Sequence, residues 1–280
     1  MQLGIFAKTF DGSSPAAVMD AAVRCGYRAV QYNMACSGLP PMPDHVSDRV
    51  AKEVTDAAKT RGVSVVAVSG TFNMIHPDPA IRMTGLARLE VLASRCKALS
   101  TGMITLCTGT RDVEDQWRWH SDNRSSEAWR DLLQSCAAAC DIAERWDILL
   151  GVEPELANVV SDARQALRLV RELGSDRIRI VLDPANLFET ATLAEQHHLI
   201  SDSIGLLGEH IAMAHAKDRA SDGAFAAAGT GVVDFRHFLA CLAAAGFDGP
   251  LITHGLTAQE APGVAGFLGE TLAGLGLSAP

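Results

Sequence analysis

Residues 148–186 read ILLGVEPELANVVSDARQALRLVRELGSDRIRIVLDPAN and contain a complete strand–helix–strand unit. The apolar runs at 148–153 and 178–182 predict two strands, and the segment 161–173 between them has the periodicity of an amphipathic helix. This order is typical of neighbouring parallel strands joined by a helical crossover. Each strand ends at or beside a carboxylate, so the segment predicts both a parallel α/β fold and the position of a candidate active site.

The same alternation extends along the whole chain. Eight apolar runs predict strands at 3–6, 29–32, 63–69, 103–107, 148–153, 178–182, 211–215 and 251–254. Helical periodicity marks 14–24, 47–61, 80–98, 125–145, 161–173 and 235–245, whereas the connection 189–208 is less regular. The expected helix N-caps are Ser13, Ser47, Ser125 and Ser161, and the glycines expected to end helices are Gly26, Gly62, Gly174 and Gly246. With no linker or composition shift, residues 1–280 predict one α/β domain, a single (β/α)8 TIM barrel.

Composition excludes several classes of protein. Hydrophobic residues make up 48% of the 280 residues and charged residues 20%, which is ordinary for a globular protein and unlike a disordered one. The net charge of −9 argues against nucleic-acid binding, which needs clustered Lys and Arg. Seven cysteines without CxxC spacing indicate free thiols in a reducing compartment. Without a signal peptide or an apolar run of about 18 residues, we expect a cytoplasmic protein with no membrane partner.

Three consecutive predicted strands end in groups that can ligate a metal. They are Glu153 on the fifth strand, Asp183 after the sixth and His215 on the seventh. In a (β/α)8 barrel the carboxyl ends of the strands carry the active site, and adjacent strands lie about 4.8 Å apart. These side chains can therefore converge on one ion. Two carboxylates with an imidazole suit Mn²⁺, Mg²⁺, Co²⁺ or Zn²⁺.

The strand-end motifs resemble those of the xylose isomerase-like sugar phosphate isomerase/epimerase barrels. They are Glu153-Pro154, Asp183-Pro184-Ala185-Asn186, His215-Ala216-Lys217-Asp218 and Gly229-Thr230-Gly231-Val232-Val233-Asp234-Phe235, and the resemblance spans nearly the whole chain. That family includes ketose 3-epimerases, hydroxypyruvate isomerase and inosose dehydratase. The resemblance implies one divalent metal, with Mn²⁺ the first choice, at the ends of strands five to eight. At the eighth strand the family usually has a glutamate that binds metal and transfers protons. This chain has His254, which we predict as fourth ligand and acid/base.

The implied chemistry is proton transfer next to a carbonyl of a small, sugar-like substrate. Glu153 is the expected base, the metal stabilises the enediolate, and His254, Glu155 or a loop residue returns the proton to give an isomer or epimer. A lyase or dehydratase acting on a keto-sugar or keto-inositol is the alternative, and the product mass separates the two. Few basic residues lie near the strand ends, which favours an unphosphorylated substrate. A homo-oligomer remains open.

Two other classes of function are weaker predictions. Endonuclease IV shares this barrel ancestry, but its trinuclear zinc site needs more His and Glu ligands than this acidic chain offers. A non-catalytic sugar sensor would bind metal without exchanging a substrate proton with solvent.

Further candidates lie on the loops after the strands. The predicted substrate contacts are His76, Arg111, Trp117, Glu155, Asn186 and Lys217. Glu155 could be a substrate contact, a second acid/base group or a surface ion-pair partner. For His76 the alternatives are a substrate contact and a structural role. Arg111 either binds an anion or pairs with Asp112.

The loop that begins at Thr108 is long enough to form a lid. It carries Trp117, Trp119 and His120, and the indoles either pack on a sugar face or pin the loop to the barrel. Lys217-Asp218 either reaches substrate oxygens or forms an ion pair. The glycines of 229–231 do not follow a strand, so we interpret them as the turn before the seventh helix and not as a dinucleotide site.

Overall fold

The computed structural model describes residues 1–277, in which eight parallel strands close into a barrel. The strands of the chain are β1 (Gln2–Phe6), β2 (Ala29–Tyr32), β3 (Ser64–Ser69), β4 (Met103–Cys107), β5 (Leu149–Glu153), β6 (Ile178–Leu182), β7 (Ile211–Arg219), β8 (Phe225–Ala227) and β9 (Pro250–Thr253). Neighbours in the chain pair with one another from β1 to β7, and β9 closes the ring between β7 and β1. Strand β8 is not part of the ring, because it pairs antiparallel with the outer end of β7.

A helix follows each barrel strand and covers the outside of the sheet. The helices are α1 (Pro15–Arg24), α2 (Asp48–Arg61), α3 (Pro79–Ala93), α4 (Ser126–Trp146), α5 (Ala163–Leu173), α6 (Leu193–Leu207), α7 (Phe235–Ala244) and α8 (Ala261–Gly274). The predicted single (β/α)8 barrel is therefore confirmed. Helix α3 ends before the predicted residue 98, and α6 is a regular helix in the connection that the sequence left irregular.

Helix ends follow local chemistry closely. Ser47 and Ser125 are N-caps whose hydroxyls accept backbone N–H groups, as predicted. The N-caps of α1 and α5 are Ser14 and Asp162, each one residue after the predicted serine, and only Asp162 accepts a capping hydrogen bond with its side chain. The four predicted glycines all have positive φ, the conformation that ends a helix without a Cβ clash.

Side-chain alternation along the strands explains why the site residues face the interior of the barrel. A small apolar cluster fills the barrel with Ala67, Met103, Val181, Met213 and Ile252. Since alternate residues of a strand face the same side, the positions two residues beyond Val181, Met213 and Ile252 also face the interior. Those positions are the ones that hold Asp183, His215 and His254.

Gly151 makes room in this crowded interior on β5. A Cβ at that position would lie 2.7 Å from a methyl carbon of Val181, so no larger residue fits without movement. The glycine thus lets β5 lie close to its neighbours just below Glu153.

No helix within residues 1–277 is long and apolar enough to cross a bilayer. All seven cysteines are free, as predicted, and five of them are buried.

Candidate active site

Glu153, Asp183 and His215 converge at the carboxyl ends of β5, β6 and β7. One potential ligand atom from each side chain lies within 4.8 Å of those of the other two. Asp183 and His215 are buried and Glu153 is nearly so, with 14% of its side chain exposed. The convergence predicted from the strand ends is present in the structure.

The imidazole of His215 has a fixed orientation. Its Nε2 lies 2.8 Å from Oε1 of Gln31, and the amide of Gln31 donates to Oγ1 of Thr105 at 3.1 Å. Because Gln31 Oε1 is an acceptor, Nε2 carries a hydrogen. Nδ1 is then the nitrogen that holds the second proton of the imidazolium or, without that proton, presents a lone pair to the site. That Nδ1 lies 3.1 Å from Oε1 of Glu153, a contact that is favourable only with a proton or a cation between the two atoms.

The two carboxylates are also held by specific partners. Oδ1 of Asp183 accepts the backbone N–H of Ala185 at 2.9 Å, and Oδ2 lies 3.2 Å from Nζ of Lys217. The amide of Asn186 donates to Oε1 of Glu153 at 2.8 Å. Each of the two carboxylates is therefore fixed by a residue from the end of an adjacent strand, and His215 by Gln31 on β2, as ligands in protein metal sites generally are held.

Unpartnered buried atoms test whether these residues suit a cation. Within residues 1–277, four buried side-chain N or O atoms have no hydrogen-bond partner, and three of them are Asp183 Oδ2, His215 Nδ1 and His254 Nδ1. Each of these atoms can donate an electron pair. The first two make only ion-pair contacts, with Lys217 and Glu153, and His254 Nδ1 has no hydrogen-bond partner at all. The donor set and its unmet bonding capacity fit one divalent ion. The described residues contain no second group of three such ligands, so a trinuclear site has no support.

His254 follows β9 and is stacked between two rings. Its ring centroid lies 4.9 Å from that of Phe6 and 5.3 Å from that of His215. Burial, together with the positive charges of His215 and Lys217, lowers the pKa of His254 to about 3, so the imidazole is neutral. Its ring nitrogens fall outside the three-residue cluster, and ligation by His254 stays a prediction.

The two glutamates of β5 and its following loop differ in charge. Burial opposes ionisation of Glu153, but the positive charges of His215 and Lys217 outweigh it and lower the pKa to about 2. At Glu155, burial and then the negative charge of Glu153 raise the pKa to about 8. Glu155 lines the cavity and makes no ion pair among the described residues, which excludes the predicted surface ion pair.

A cavity of about 920 Å³ opens above the cluster. Of the predicted site residues, those that line it are Glu153, Glu155, Asn186, His215, Lys217, His254 and Trp117. The structure thus brings seven of the predicted residues to one space, with Asp183 buried directly beside them.

Two predicted substrate contacts lie elsewhere. The guanidinium of Arg111 is buried, lies 2.8 Å from Asp131 and donates to the carbonyl of Ile75, so the proposed Arg111–Asp112 pair is wrong. His76 accepts the backbone N–H of Asp78 and contacts a loop carbonyl through its other nitrogen. Neither side chain lines the cavity, and both hold the loops around it in place.

The loop after β4 is fastened by charged groups. Arg118 makes two hydrogen bonds to Asp112, at 2.6 and 2.8 Å, and these bonds with two backbone N–H groups hold the pKa of Asp112 well below its usual range. Trp117 and Trp119 remain 46% and 51% exposed. The loop is therefore not pinned by burial of these indoles. Of the two interpretations of the tryptophans, packing on a sugar or pinning the loop, the second is thus not supported.

Lys217 and Asp218 have separate roles. Lys217 reaches Asp183, whereas the fully buried Asp218 accepts four backbone N–H groups. Their donors are Arg219, Gly229, Gly231 and Val233. A Cβ on Gly231 would lie 2.1 Å from the carbonyl oxygen of Arg219, so the glycine is required for this close approach. The segment is the turn before α7, as predicted.

Several site residues were missed from the sequence. Gln31 orients His215, and its only sequence signal was a polar residue inside the short apolar strand β2. Phe225, on the unpredicted strand β8, lies under the charged groups of Lys217 and Arg219, 4.1 and 3.8 Å from its ring centroid. Phe6 stacks on His254, but in the sequence it was only the last apolar residue of the predicted first strand.

Comparison with known proteins identifies the family. A model of the xylose isomerase-like TIM barrel family matches residues 19–266, and the chain belongs to this family. No curated protein sequence matches the chain.

Solved structures share the fold at low sequence identity. A D-tagatose 3-epimerase-like protein is similar with a TM-score of 0.79 and 16% identity, over 99% of this chain and 98% of that one. A 3-keto-D-glucoside 4-epimerase from E. coli has a TM-score of 0.76 and 14% identity, over 96% and 98%. D-psicose 3-epimerase from Clostridium cellulolyticum H10, solved with D-tagatose, has a TM-score of 0.71 and 17% identity, over 94% and 90%.

Proposed function

We propose that this member of the xylose isomerase-like TIM barrel family is a divalent-metal-dependent sugar isomerase or epimerase acting on a ketose or keto-sugar. The observation that carries the proposal is the buried Glu153, Asp183 and His215 cluster beneath a cavity of about 920 Å³. Epimerases of ketoses and of a keto-glucoside among the similar structures support a sugar substrate.

Glu153, Asp183 and His215 would hold the ion, with His254 nearest to the remaining side of the cluster. When bound, a divalent ion supplies a Lewis acid that draws electron density from a carbonyl and acidifies the neighbouring C–H group. The donor set does not distinguish Mn²⁺ from Mg²⁺, Co²⁺ or Zn²⁺. Mn²⁺ is the ion we would test first.

Glu153 is the proposed base. Asn186 and His215 both contact its Oε1, and no hydrogen bond to Oε2 is made by the described residues. The free oxygen of an ionised carboxylate that lines the cavity can accept a proton from a bound substrate. Glu155 and His254 line the same cavity and are the candidates to return the proton.

A lyase reaction is the second candidate, and the position of Glu155 favours it. Glu155 lies two residues beyond Glu153, just after the end of β5, and both glutamates line the same cavity. One carboxylate can remove the proton next to the carbonyl while the other, with its raised pKa, protonates a departing hydroxyl or alkoxide on the neighbouring carbon. A lyase changes the mass of the substrate skeleton, whereas an isomerase does not.

Metal analysis and proton exchange test the proposal together. We expect about one divalent ion per chain in the reconstituted wild-type protein, and incorporation of deuterium next to the carbonyl of a ketose or keto-glucoside in deuterated water. Glu153→Gln should lower exchange by about 10²–10⁴-fold, the usual contribution of a general base. Mass spectrometry of the product then separates isomerase from lyase.

Glu270→Gln is the matched control, because Glu270 is an exposed glutamate on α8. It should bind metal and exchange protons as the wild type does. A wild-type protein that takes up no metal after reconstitution would refute metal dependence. A protein that binds metal but exchanges no proton across the panel would instead support a sugar sensor.

A further inference from the structure

The cavity is larger than a single sugar ring requires. Its volume of about 920 Å³ corresponds to about 30 water molecules at the roughly 30 Å³ that each occupies in the liquid. Pockets of roughly 300–1,000 Å³ generally hold drug-sized ligands, and a free hexose is smaller than these. A substrate that fills the cavity therefore carries a second group beyond the sugar.

The outer part of the cavity is aromatic. Three of the side chains that line it, Trp117, Trp119 and Phe225, are 46%, 51% and 53% exposed. Phe225 is held by the cationic groups of Lys217 and Arg219, which lie over its ring. Exposed aromatic groups gathered around one polar cavity are typical of a binding surface, whereas single exposed apolar residues need no explanation.

Neither cavity-lining indole is fixed by a hydrogen bond, although the guanidinium of Arg124 lies 6.0 Å from the ring centroid of Trp119. Neither Trp117 nor Trp119 donates a hydrogen bond from its indole N–H to any residue in 1–277, and the loop is fastened by the contacts of Arg118. Trp129 shows the contrast, because its indole N–H donates to Glu172 at 2.8 Å and its side chain is buried. The exposed Trp117, and the side of Trp119 away from Arg124, are thus available to a ligand.

We propose that the substrate is a keto-glycoside with a planar aromatic aglycone. The sugar would lie on the polar floor at Glu153 and His215, and the aglycone would stack on Trp117 and Trp119. This inference rests on the sugar chemistry proposed above for the same site. It adds that the aglycone, and not only the sugar, determines which substrates bind.

Substrates that differ only in the aglycone test the inference. A phenyl 3-keto-glucoside should have a KM about tenfold lower than a methyl 3-keto-glucoside, since an aromatic pair and the burial that accompanies it contribute about that factor. Trp117→Ala should raise the KM for the phenyl substrate about tenfold and leave the methyl substrate almost unchanged. Trp117→Phe should retain most of the preference because it keeps an aromatic face.

Trp146→Ala is the matched control, since Trp146 is 41% exposed on α4 and does not line the cavity. It should leave both KM values unchanged. Equal KM values for the phenyl and methyl substrates, with no effect of Trp117→Ala, would overturn the inference while proton exchange still supports the sugar chemistry.

Binding measured without turnover separates the two proposals. If the wild-type protein exchanges no proton of any keto-sugar, calorimetry with unoxidised phenyl glucoside still reports on the aromatic surface. Binding that is lost in Trp117→Ala and kept in Trp146→Ala supports the inference even then. No binding of phenyl glucoside, or binding that Trp117→Ala leaves intact, overturns it.

Discussion

Replacing Lys217 by methionine tests the electrostatics of the site without measuring catalysis. Lys217 and Asp183 form a buried ion pair, with 8% and 0% of their side chains exposed and 3.2 Å between Nζ and Oδ2. Methionine keeps an unbranched apolar side chain in place of the lysine stem but removes the charge. In the metal-free protein, Asp183 then has no charged partner on Oδ2.

The expected cost follows from the burial of the pair. Removing one partner of a buried ion pair generally destabilises a protein by about 3–5 kcal/mol, because an uncompensated charge remains inside. For a chain of this length that corresponds to a fall in Tm of roughly 5–9 °C. A divalent ion beside Asp183 would replace the missing positive charge, so saturating metal should remove most of the difference from the wild type.

Metal affinity should change in the opposite direction. The ammonium of Lys217 repels a cation bound by Asp183, and charges about 5 Å apart at an effective dielectric constant of about 20 interact by more than 3 kcal/mol. Lys217→Met should therefore bind Mn²⁺ at least about tenfold more tightly than the wild type. Differential scanning fluorimetry in EDTA and in a Mn²⁺ titration measures both the stability and the affinity.

Lys52→Met is the matched control, because Lys52 pairs with Asp56 on the surface of α2 with both side chains largely exposed. Exposed pairs contribute at most about 1 kcal/mol, so its Tm should change by no more than about 3 °C with or without metal. A metal-free Lys217→Met protein as stable as the wild type would refute the electrostatic account. So would a loss of stability that Mn²⁺ does not restore.

Three further substitutions probe the loop after β4, the core at Tyr27 and the end of β9. Arg118→Met removes both hydrogen bonds to Asp112, and limited proteolysis should cut the loop after β4 several-fold faster than in the wild type; an unchanged cleavage rate would contradict the role assigned to the pair. Burial raises the pKa of Tyr27 to about 12, so its contribution to stability is complete below about pH 10 and falls as the pH rises toward 12. In urea unfolding, Tyr27→Phe should therefore lose about 1 kcal/mol less than the wild type between pH 8 and pH 11, and equal losses would refute this. His254→Glu places a carboxylate after β9 and should raise epimer formation, measured by product chromatography, by about 10²-fold or more. If epimer formation does not rise, position 254 is not where the second proton transfer takes place.

The fold was predictable because it depends on local periodicity. The barrel strands begin and end within a few residues of their predicted bounds, since short apolar runs flanked by turns leave little freedom. Helix α6 was not recognised because its buried face includes Gln196 and Ser203, which interrupt the apolar pattern. Strand β8 has only three residues, too few to show an alternating pattern, although Asp222-Gly223 before it is a typical hairpin turn.

The site was predictable only where strands position it. Glu153, Asp183 and His215 lie at strand ends, so the parallel sheet alone brings them together. Arg111 and His76 lie on loops whose paths depend on distant partners, and Arg111 turns toward Asp131 on α4. Sequence spacing contains no information on such a partner, whereas it does specify the order of strands around a barrel.

The position of His254 bears on which proton transfers the site can perform. Inverting one carbon requires a group that removes the proton from one face and another that returns it to the opposite face. Around the ring, β6 and β7 separate β5 from β9, so Glu153 and His254 reach the cavity from different parts of the barrel, while Glu155 follows Glu153 in the loop after β5.

The imidazole of His254 is neutral, with its pKa lowered to about 3, so it holds no imidazolium proton to donate at neutral pH. In the metal-free protein, burial and the negative charge of Glu153 raise the pKa of Glu155 to about 8, so Glu155 can hold a proton beside Glu153. We therefore expect transfers between Glu153 and Glu155, which serve isomerisation between adjacent carbons and elimination, to be faster than inversion at a single carbon, which would need His254. Deuterium returned to the face from which the proton left would agree with this order of preference, and rapid inversion by the wild-type protein would contradict it.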